Sequence, residues 1–295
     1  MRLTIVVGVQ GGADLLPEWV RSIEGQRVEG VEVLLVWASG DEACASACRR
    51  VDSDWVRLVE GPRGALIPGL WSHGIVESDS ERVAITVHHC EPGPHWVRGL
   101  LDADLSRHVG VGGPIAQAPG SDGVSWAVYL QRYAPFSPGA VGASPRPADE
   151  IAGDNALYRR DRLAAVPEAW SGGFWELDVH RRLRELGGTL GFDPALLVTH
   201  RNGYTPLGFS EQRLRHGFLF GAGRARRLRL VQRIGYRSLS PAIPFLFGRK
   251  VFARALAHGP ARPHLLPALP WLLLFLCAWS LGEGLGANRP VRRAA

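Results

Sequence analysis

Two near-continuous apolar runs, Leu3–Val9 (LTIVVGV) and Val31–Trp37 (VEVLLVW), open the chain and read as strands. Between them, Ala13–Gln26 sets Leu15, Leu16, Trp19, Val20 and Ile23 at helical spacing. The alternation continues with a helix over Asp41–Arg50, strands at Trp55–Val59, Val83–Val87 and His108–Gly112, and helices at Leu66–Glu77 and Trp96–Leu105. Strand–helix alternation predicts an α/β fold with right-handed crossovers and a largely parallel sheet. Ligands bind such sheets beyond the carboxyl ends of the strands, where Ser39–Glu42 (SGDE) and Val87–Cys90 (VHHC) fall. Pro114–Glu150 is rich in Gly, Pro and Ser and reads as irregular, a lid or an insertion. Regular structure returns over Ile151–His200, with a helix in FWELDVHRRLRELGG and strand and turn in TLGFDPALLVTH. No internal repeat is present.

Charge divides the chain more sharply than its net +6 implies. Residues 201–295 hold 16 Arg or Lys against two acids, Glu211 and Glu283, while the first 200 residues are net −8. A basic segment of this strength calls for an anionic partner, nucleic acid or a membrane surface. The 17 uncharged residues Leu265–Leu281 (LLPALPWLLLFLCAWSL) favour the membrane, although Pro267 and Pro270 interrupt their start. Upstream, Leu239–Ala257 mixes apolar residues with Arg249, Lys250 and Arg254 as an interfacial helix does, and Arg224–Arg233 is expected near phospholipid head groups. Nucleic acid is not an expected partner, since the basic segment is tied to an apolar one and not interleaved with aromatics on a sheet. The expected division is a globular domain over 1–225 and a membrane-associated tail over 226–295.

The apolar run of MRLTIVVGV is too short for a signal peptide. Cys44, Cys48, Cys90 and Cys277 form no disulfide framework, and Cys44 and Cys48, four apart on a helix, are expected to pack in the interior. The body is therefore expected on the cytoplasmic side. The opening GVQGGA is not a dinucleotide fingerprint, because Gln10 stands where Gly is required and Trp37 ends the second strand in place of an acid. More telling is VAITVHHCEPGPHW, an apolar strand that empties into two histidines, a cysteine and a glutamate. In an extended strand only one of His88 and His89 can face a cleft.

Taken together, several stretches resemble the family-2 inverting glycosyltransferases of the GT-A fold, over roughly Leu3–Ala225. TIVVGVQGGADLLPEWVRSIEGQ resembles the opening strand and helix, and VEVLLVWASGDEA the strand with the acidic nucleotide site. VAITVHHCEPGPHWVRGL resembles the strand that carries Asp-x-Asp, and GDNALYRRDRL the Gly-x-Asn segment. GFWELDVHRRLRELGGTLGFDPALLVTH resembles the helix with the acidic base and the later terminal His. EQRLRHG resembles Gln-x-x-Arg-Trp, with His216 in place of Trp.

The resemblance implies a nucleotide-sugar donor and a lipid-linked or polysaccharide acceptor, with Glu176 as base. It places Val9, Asp41, His89, Arg215 and His216 at the donor nucleotide, and Asn155, Arg159 and Gln212 near the sugar or acceptor. Asn155 reads equally as a turn residue on physical grounds. The Asp-x-Asp positions are occupied by Val87 and His89, and Trp37 replaces a nucleoside-contacting Asp. A divalent cation, Mn²⁺ or Mg²⁺, would then draw on His89, Glu91 and His200, with Mn²⁺ the better match to imidazole. Without metal, Arg215 and His216 would clamp the diphosphate. The rival reading is a GT-A-like domain that keeps its fold and binds without catalysis, as a scaffold subunit.

Overall fold

The computed structural model describes residues 2–51, 53–225, 242–257 and 259–288. Arg226, Arg227, Arg229 and Arg233 of the basic stretch lie outside the described residues. The strands are β1 (Leu3–Val9), β2 (Val31–Ala38), β3 (Val56–Gly61), β4 (Arg82–Val87), β5 (Cys90–Pro92), β6 (Gly110–Gly112), β7 (Ile115–Gln117), β8 (Arg146–Ala148), β9 (Asn155–Arg159), β10 (Leu190–Phe192) and β11 (Val198–His200). Among the described residues they form an eight-stranded sheet, in the order β3-β2-β1-β4-β9-β6-β10-β8, and a three-stranded sheet, β5-β11-β7.

The first half of the large sheet follows the sequence pattern closely. β1 pairs in parallel with β2 and β4, and β2 with β3. All seven residues of β1 are buried, as a central strand covered on both faces requires. The helix Ile67–Glu77 covers one face so closely that a Cβ on Gly74 would run into Val6 and Val36. Beyond β4 the sheet turns mixed: β9 is antiparallel to both β4 and β6, β10 is parallel to β6, and β8 is antiparallel to β10.

Pro114–Glu150 is not irregular. It holds β7, β8 and the 11-residue helix Gly123–Tyr133, N-capped by Asp122, whose carboxylate accepts from the Ser125 amide at 2.8 Å. Gly and Ser around that helix disguise a face on which Trp126, Tyr129, Leu130 and Tyr133 are buried.

By contacts the chain forms two units, Met1–Ala118 with Pro135–Gly203, and Pro119–Ala134 with Tyr204–Ala295. The first contains both sheets. The second is helical: Gly123–Tyr133, Pro206–Ala225, Ile243–Ala257 and Leu265–Asn288. Pro206–Ala225 thus packs with the tail. A Cβ on Gly217 or Gly221 would strike backbone at Trp279 and Glu283, and one on Gly282 or Gly286 would strike backbone at Leu214 and Phe218. Leu265–Asn288 runs through Pro270 without a break, and the stretch Ala261–Ala287 is long and apolar enough to cross a membrane.

Candidate active site

In the sheet unit, the carboxyl ends of β1, β2 and β4 gather the loop Gln10–Gly12, the turn before Asp41 and the His88–His89 turn. Residues 88 and 89 leave the strand before they are reached, so the one-face rule for an extended strand does not hold there. Both rings are buried and turn onto the same loop. His88 Nε2 lies 2.8 Å from the Gly11 carbonyl and 3.0 Å from that of Gly12, and His89 Nε2 lies 3.1 Å from the Gln10 carbonyl. A ring nitrogen that faces a carbonyl oxygen must carry its proton, so neither Nε2 offers a lone pair. Burial pushes the His88 pKa down, against the opposing pull of these carbonyls, and the ring stays neutral. Gly11 and Gly12 take left-handed backbone at φ 65° and 54°, which lets the loop close on the two rings. The histidines of HHCE hold the loop after β1.

The expected cation ligands do not converge. In the β5–β11 pairing Thr199 opposes Glu91 and Cys90 opposes His200, so successive side chains put Glu91 and His200 on opposite faces. Glu91 pairs with Arg201, and His200 Nδ1 lies 2.9 Å from Gln117 Oε1. Among the described residues no group of three or more His, Cys, Asp or Glu is placed to hold a metal ion. With Val87 buried at the other Asp-x-Asp position, this donor set does not fit a divalent cation.

Glu176 opens the helix Glu176–Glu185 and is partly exposed. Its Oε1 accepts from the Gly153 amide at 3.3 Å. Gly153 precedes Asp154, whose carbonyl accepts from Thr86 Oγ1 at 2.8 Å, and Trp71 Nε1 donates to the Thr86 carbonyl at 2.7 Å. These bonds place the Glu176 carboxylate at the carboxyl end of β4. Asp178 sits 3.7 Å from Arg181 on the same helix.

The other matched positions fall elsewhere. Asn155 is fully buried and committed: its Oδ1 accepts from Trp96 Nε1 at 2.9 Å, and its Nδ2 donates to the carbonyls of Pro114 and Leu196 at 3.2 and 2.6 Å. It braces the interior. Arg159 lies at the opposite edge of the sheet, because β9 runs antiparallel and pairs Arg159 with Arg82 at the start of β4. It forms a two-bonded pair with Asp161, at 3.0 and 2.6 Å. Val9 is buried at the end of β1, paired with Trp37, so only its backbone can serve a nucleotide. Asp41 is the N-cap of the helix Glu42–Arg49, accepting from the Cys44 amide at 3.1 Å. Cys44 and Cys48 pack in the interior as expected, their thiol pKa values pushed up to about 12, chiefly by burial.

In the helical unit, Gln212 is buried, its Oε1 accepting from Arg213 at 3.0 and 2.6 Å and its Nε2 near the Tyr204 hydroxyl at 3.2 Å. Its polar atoms are thus engaged within the helical unit. His216 is also buried, and burial, with Arg213, Arg132 and Arg215 nearby, holds its pKa well below the ordinary histidine value. It is neutral and supplies no charge to a diphosphate. Arg215 remains exposed.

A chain that runs from the interior to the surface was missed in sequence. Tyr158 hydroxyl, His180 Nε2, His180 Nδ1 and Glu150 follow at 2.7 and 2.5 Å, with Arg184 on the far oxygen of Glu150 at 2.9 Å. Burial raises the Tyr158 pKa well above normal, and the charges of Glu176 and Glu150 add to the shift. Only the four-residue spacing of Glu176 and His180 hinted at a shared helix face.

Among solved structures, the mannosyltransferase PcManGT from Pyrobaculum calidifontis, in complex with GDP-Man and Mn²⁺, matches with a TM-score of 0.53 and 17% identity, over 96% of this chain and 86% of that one. The two share a mostly parallel α/β sheet flanked by helices. A mycobacterial protein overlaps at a TM-score of 0.47 and 15% identity, over 75% of this chain and 74% of that one. No family model and no curated protein matches the sequence. Glu176 stands at the carboxyl end of β4, whereas Asn155 is enclosed and Arg159 stands at the opposite edge of the sheet.

Proposed function

We propose that this chain is a glycosyltransferase that moves a sugar from a nucleotide-sugar donor to a lipid-linked or polysaccharide acceptor, in a single inverting displacement with Glu176 as base. The observation that supports it most is the placement of Glu176, tethered through Gly153 to the carboxyl end of β4, on a GT-A-like fold. In this reaction the acceptor oxygen bonds to the anomeric carbon as its proton passes to the Glu176 carboxylate. The bond to the diphosphate breaks, and its electron pair leaves with the diphosphate oxygen. The Gly153 amide holds Oε1 so that the carboxylate is oriented before the acceptor arrives.

The neighbour of known structure holds GDP-Man and Mn²⁺. Here the matching residues do not assemble a cation site, so the proposed mechanism takes no step through a metal. Arg215 is the candidate cation for the diphosphate on the strength of its Gln-x-x-Arg match. We assign residues 1–225 to the transferase, with Pro206–Ala225 also packed on the helix Leu265–Asn288, and 226–295 to attachment at the cytoplasmic face of a membrane, which the length and apolarity of that last helix support.

Val87 and Trp37, both buried where carboxylates are expected, favour a second reading, a binding subunit without catalysis. Incubating the full chain with GDP- and UDP-sugars separates the two. Donor turnover that Glu176→Gln abolishes, with nucleotide binding intact, supports the enzyme. Nucleotide binding with no turnover under any cation supports the subunit.

A further inference from the structure

The helix Leu265–Asn288 exposes Leu266, Leu273, Leu274, Cys277, Leu281 and Leu285, which fall on one side of a 3.6-residue period and form one apolar stripe. Its other side is fixed to Pro206–Ala225. Phe209 meets Phe275 edge-on at 4.7 Å, and the Arg213 guanidinium lies over the Trp279 ring at 5.4 Å. Further on, Gly221 abuts the Glu283 backbone, so the two helices run side by side in the same direction. Their glycines leave no room for one to slide from the other, and Arg224 adds a 3.4 Å contact to the buried Glu283 carboxylate.

An orientation that carries Leu265–Asn288 across a bilayer therefore carries Pro206–Ala225 with it. The outer face of that second helix exposes Leu207, Glu211, Arg215 and Leu219. Phe209 and Arg213 bracket Glu211 opposite Phe275 and Trp279, so Glu211 comes level with the middle of the apolar helix and Arg215 follows one turn further on, still within its length. Spanning would hold them in hydrocarbon without water or a bundle interior to receive them. The helix Ile243–Ala257 packs on Leu265–Asn288 and adds a second observation. It exposes Phe245 (78%), Leu246 (61%) and Phe247 (52%) beside exposed Arg249 and Lys250. Apolar side chains beside cations match a surface of acyl chains under anionic head groups.

We propose that the helical unit is monotopic: Leu265–Asn288 lies within one leaflet on its Leu266–Leu285 stripe, with Phe245–Phe247 inserted beside it and Arg249 and Lys250 at anionic head groups. The proposal rests on the membrane attachment proposed above and names its geometry.

Cys277 is a natural reporter, since Cys44, Cys48 and Cys90 are buried. The full chain is labelled with the NBD fluorophore at Cys277, or at L266C or L285C in a Cys277→Ser background, all at exposed positions. It is then added to sealed phosphatidylcholine vesicles with and without phosphatidylglycerol, followed by external dithionite. The monotopic arrangement predicts that all three labels bleach fully and that R249Q/K250Q weakens binding to the anionic vesicles about tenfold. Residues 266 and 285 are roughly 28 Å apart along a helix, so a spanning helix places one label in the inner leaflet. Protection of either end label overturns the proposal and leaves membrane attachment standing. No association with either vesicle overturns both. Stable dimers that bind no vesicle assign the stripe to a second copy of the chain and likewise overturn it.

Discussion

Glu176 and Gly153 are fitted to each other: the Gly153 amide donates to Glu176 Oε1, and a Cβ at Gly153 would stand 2.8 Å from that oxygen and 2.8 Å from the Trp71 ring. The carboxylate can turn aside but the buried indole cannot, so Gly153→Ala must move one or both. We expect Gly153→Ala to lower stability by about 1–3 kcal/mol and to reduce kcat more than donor affinity. Glu176→Gln should cut turnover by about 10²–10⁴-fold with donor binding and Tm unchanged. Steady-state kinetics beside calorimetric binding checks both. A Glu176→Gln chain that turns over donor at the original rate removes Glu176 from the chemistry.

Asn155 predicts the opposite pattern. Asn155→Ala strands the Trp96 indole N–H and leaves the Pro114 and Leu196 carbonyls without their amide donor. The expected loss is about 3 kcal/mol of stability, read from the urea midpoint, with residual activity in proportion to folded protein. If Asn155→Ala keeps the original midpoint but loses sugar transfer, the bracing role is wrong.

Acid should loosen the chain through its buried histidines. His88 and His216 both have folded pKa values lowered chiefly by burial. The unfolded chain takes up protons as pH falls through about 6.5, and the folded chain resists them. Their contribution is therefore full above that pH and is lost as pH falls below it. Urea midpoints at pH 8 should exceed those at pH 5, and His216→Phe should make the difference smaller. An unchanged pH dependence in His216→Phe excludes His216 as a contributor.

Glu91 pairs with Arg201, and its cross-strand neighbour Thr199 leaves His200 on the other face. Glu91→Gln should leave the Mn²⁺ dependence of GDP binding within about twofold of the original chain, since it removes only a partly exposed ion pair. Calorimetric titration with Mn²⁺ and with EDTA decides this. Mn²⁺-dependent binding that vanishes with Glu91→Gln restores Glu91 as a ligand.

The first four parallel strands were legible because β1 and β2 are near-continuous apolar runs, which suit strands covered on both sides. β9 was harder. Asn155–Arg159 (NALYR) carries nothing that specifies direction, and its antiparallel course sends Arg159 to the edge opposite Glu176. The helix Gly123–Tyr133 hid among Gly, Pro and Ser because its signal is the Asp122 cap and a few aromatics within a turn-rich background. At the candidate site, residue types pointed to the edge of the sheet where His88, His89 and Glu176 stand. The aim of His88 and His89 depended on a turn that alternation along a strand cannot foresee.

The glycine seats between Pro206–Ala225 and Leu265–Asn288 bear on how such a chain can be shortened. Each helix uses the other's backbone as its wall, and Trp279 is also the ring beneath the Arg213 guanidinium. A chain cut before Leu265 would bare Gly217 and Gly221 to water and leave Arg213 without that ring. Removing the greasy end to gain solubility would instead dismantle the helix that carries Gln212 and Arg215.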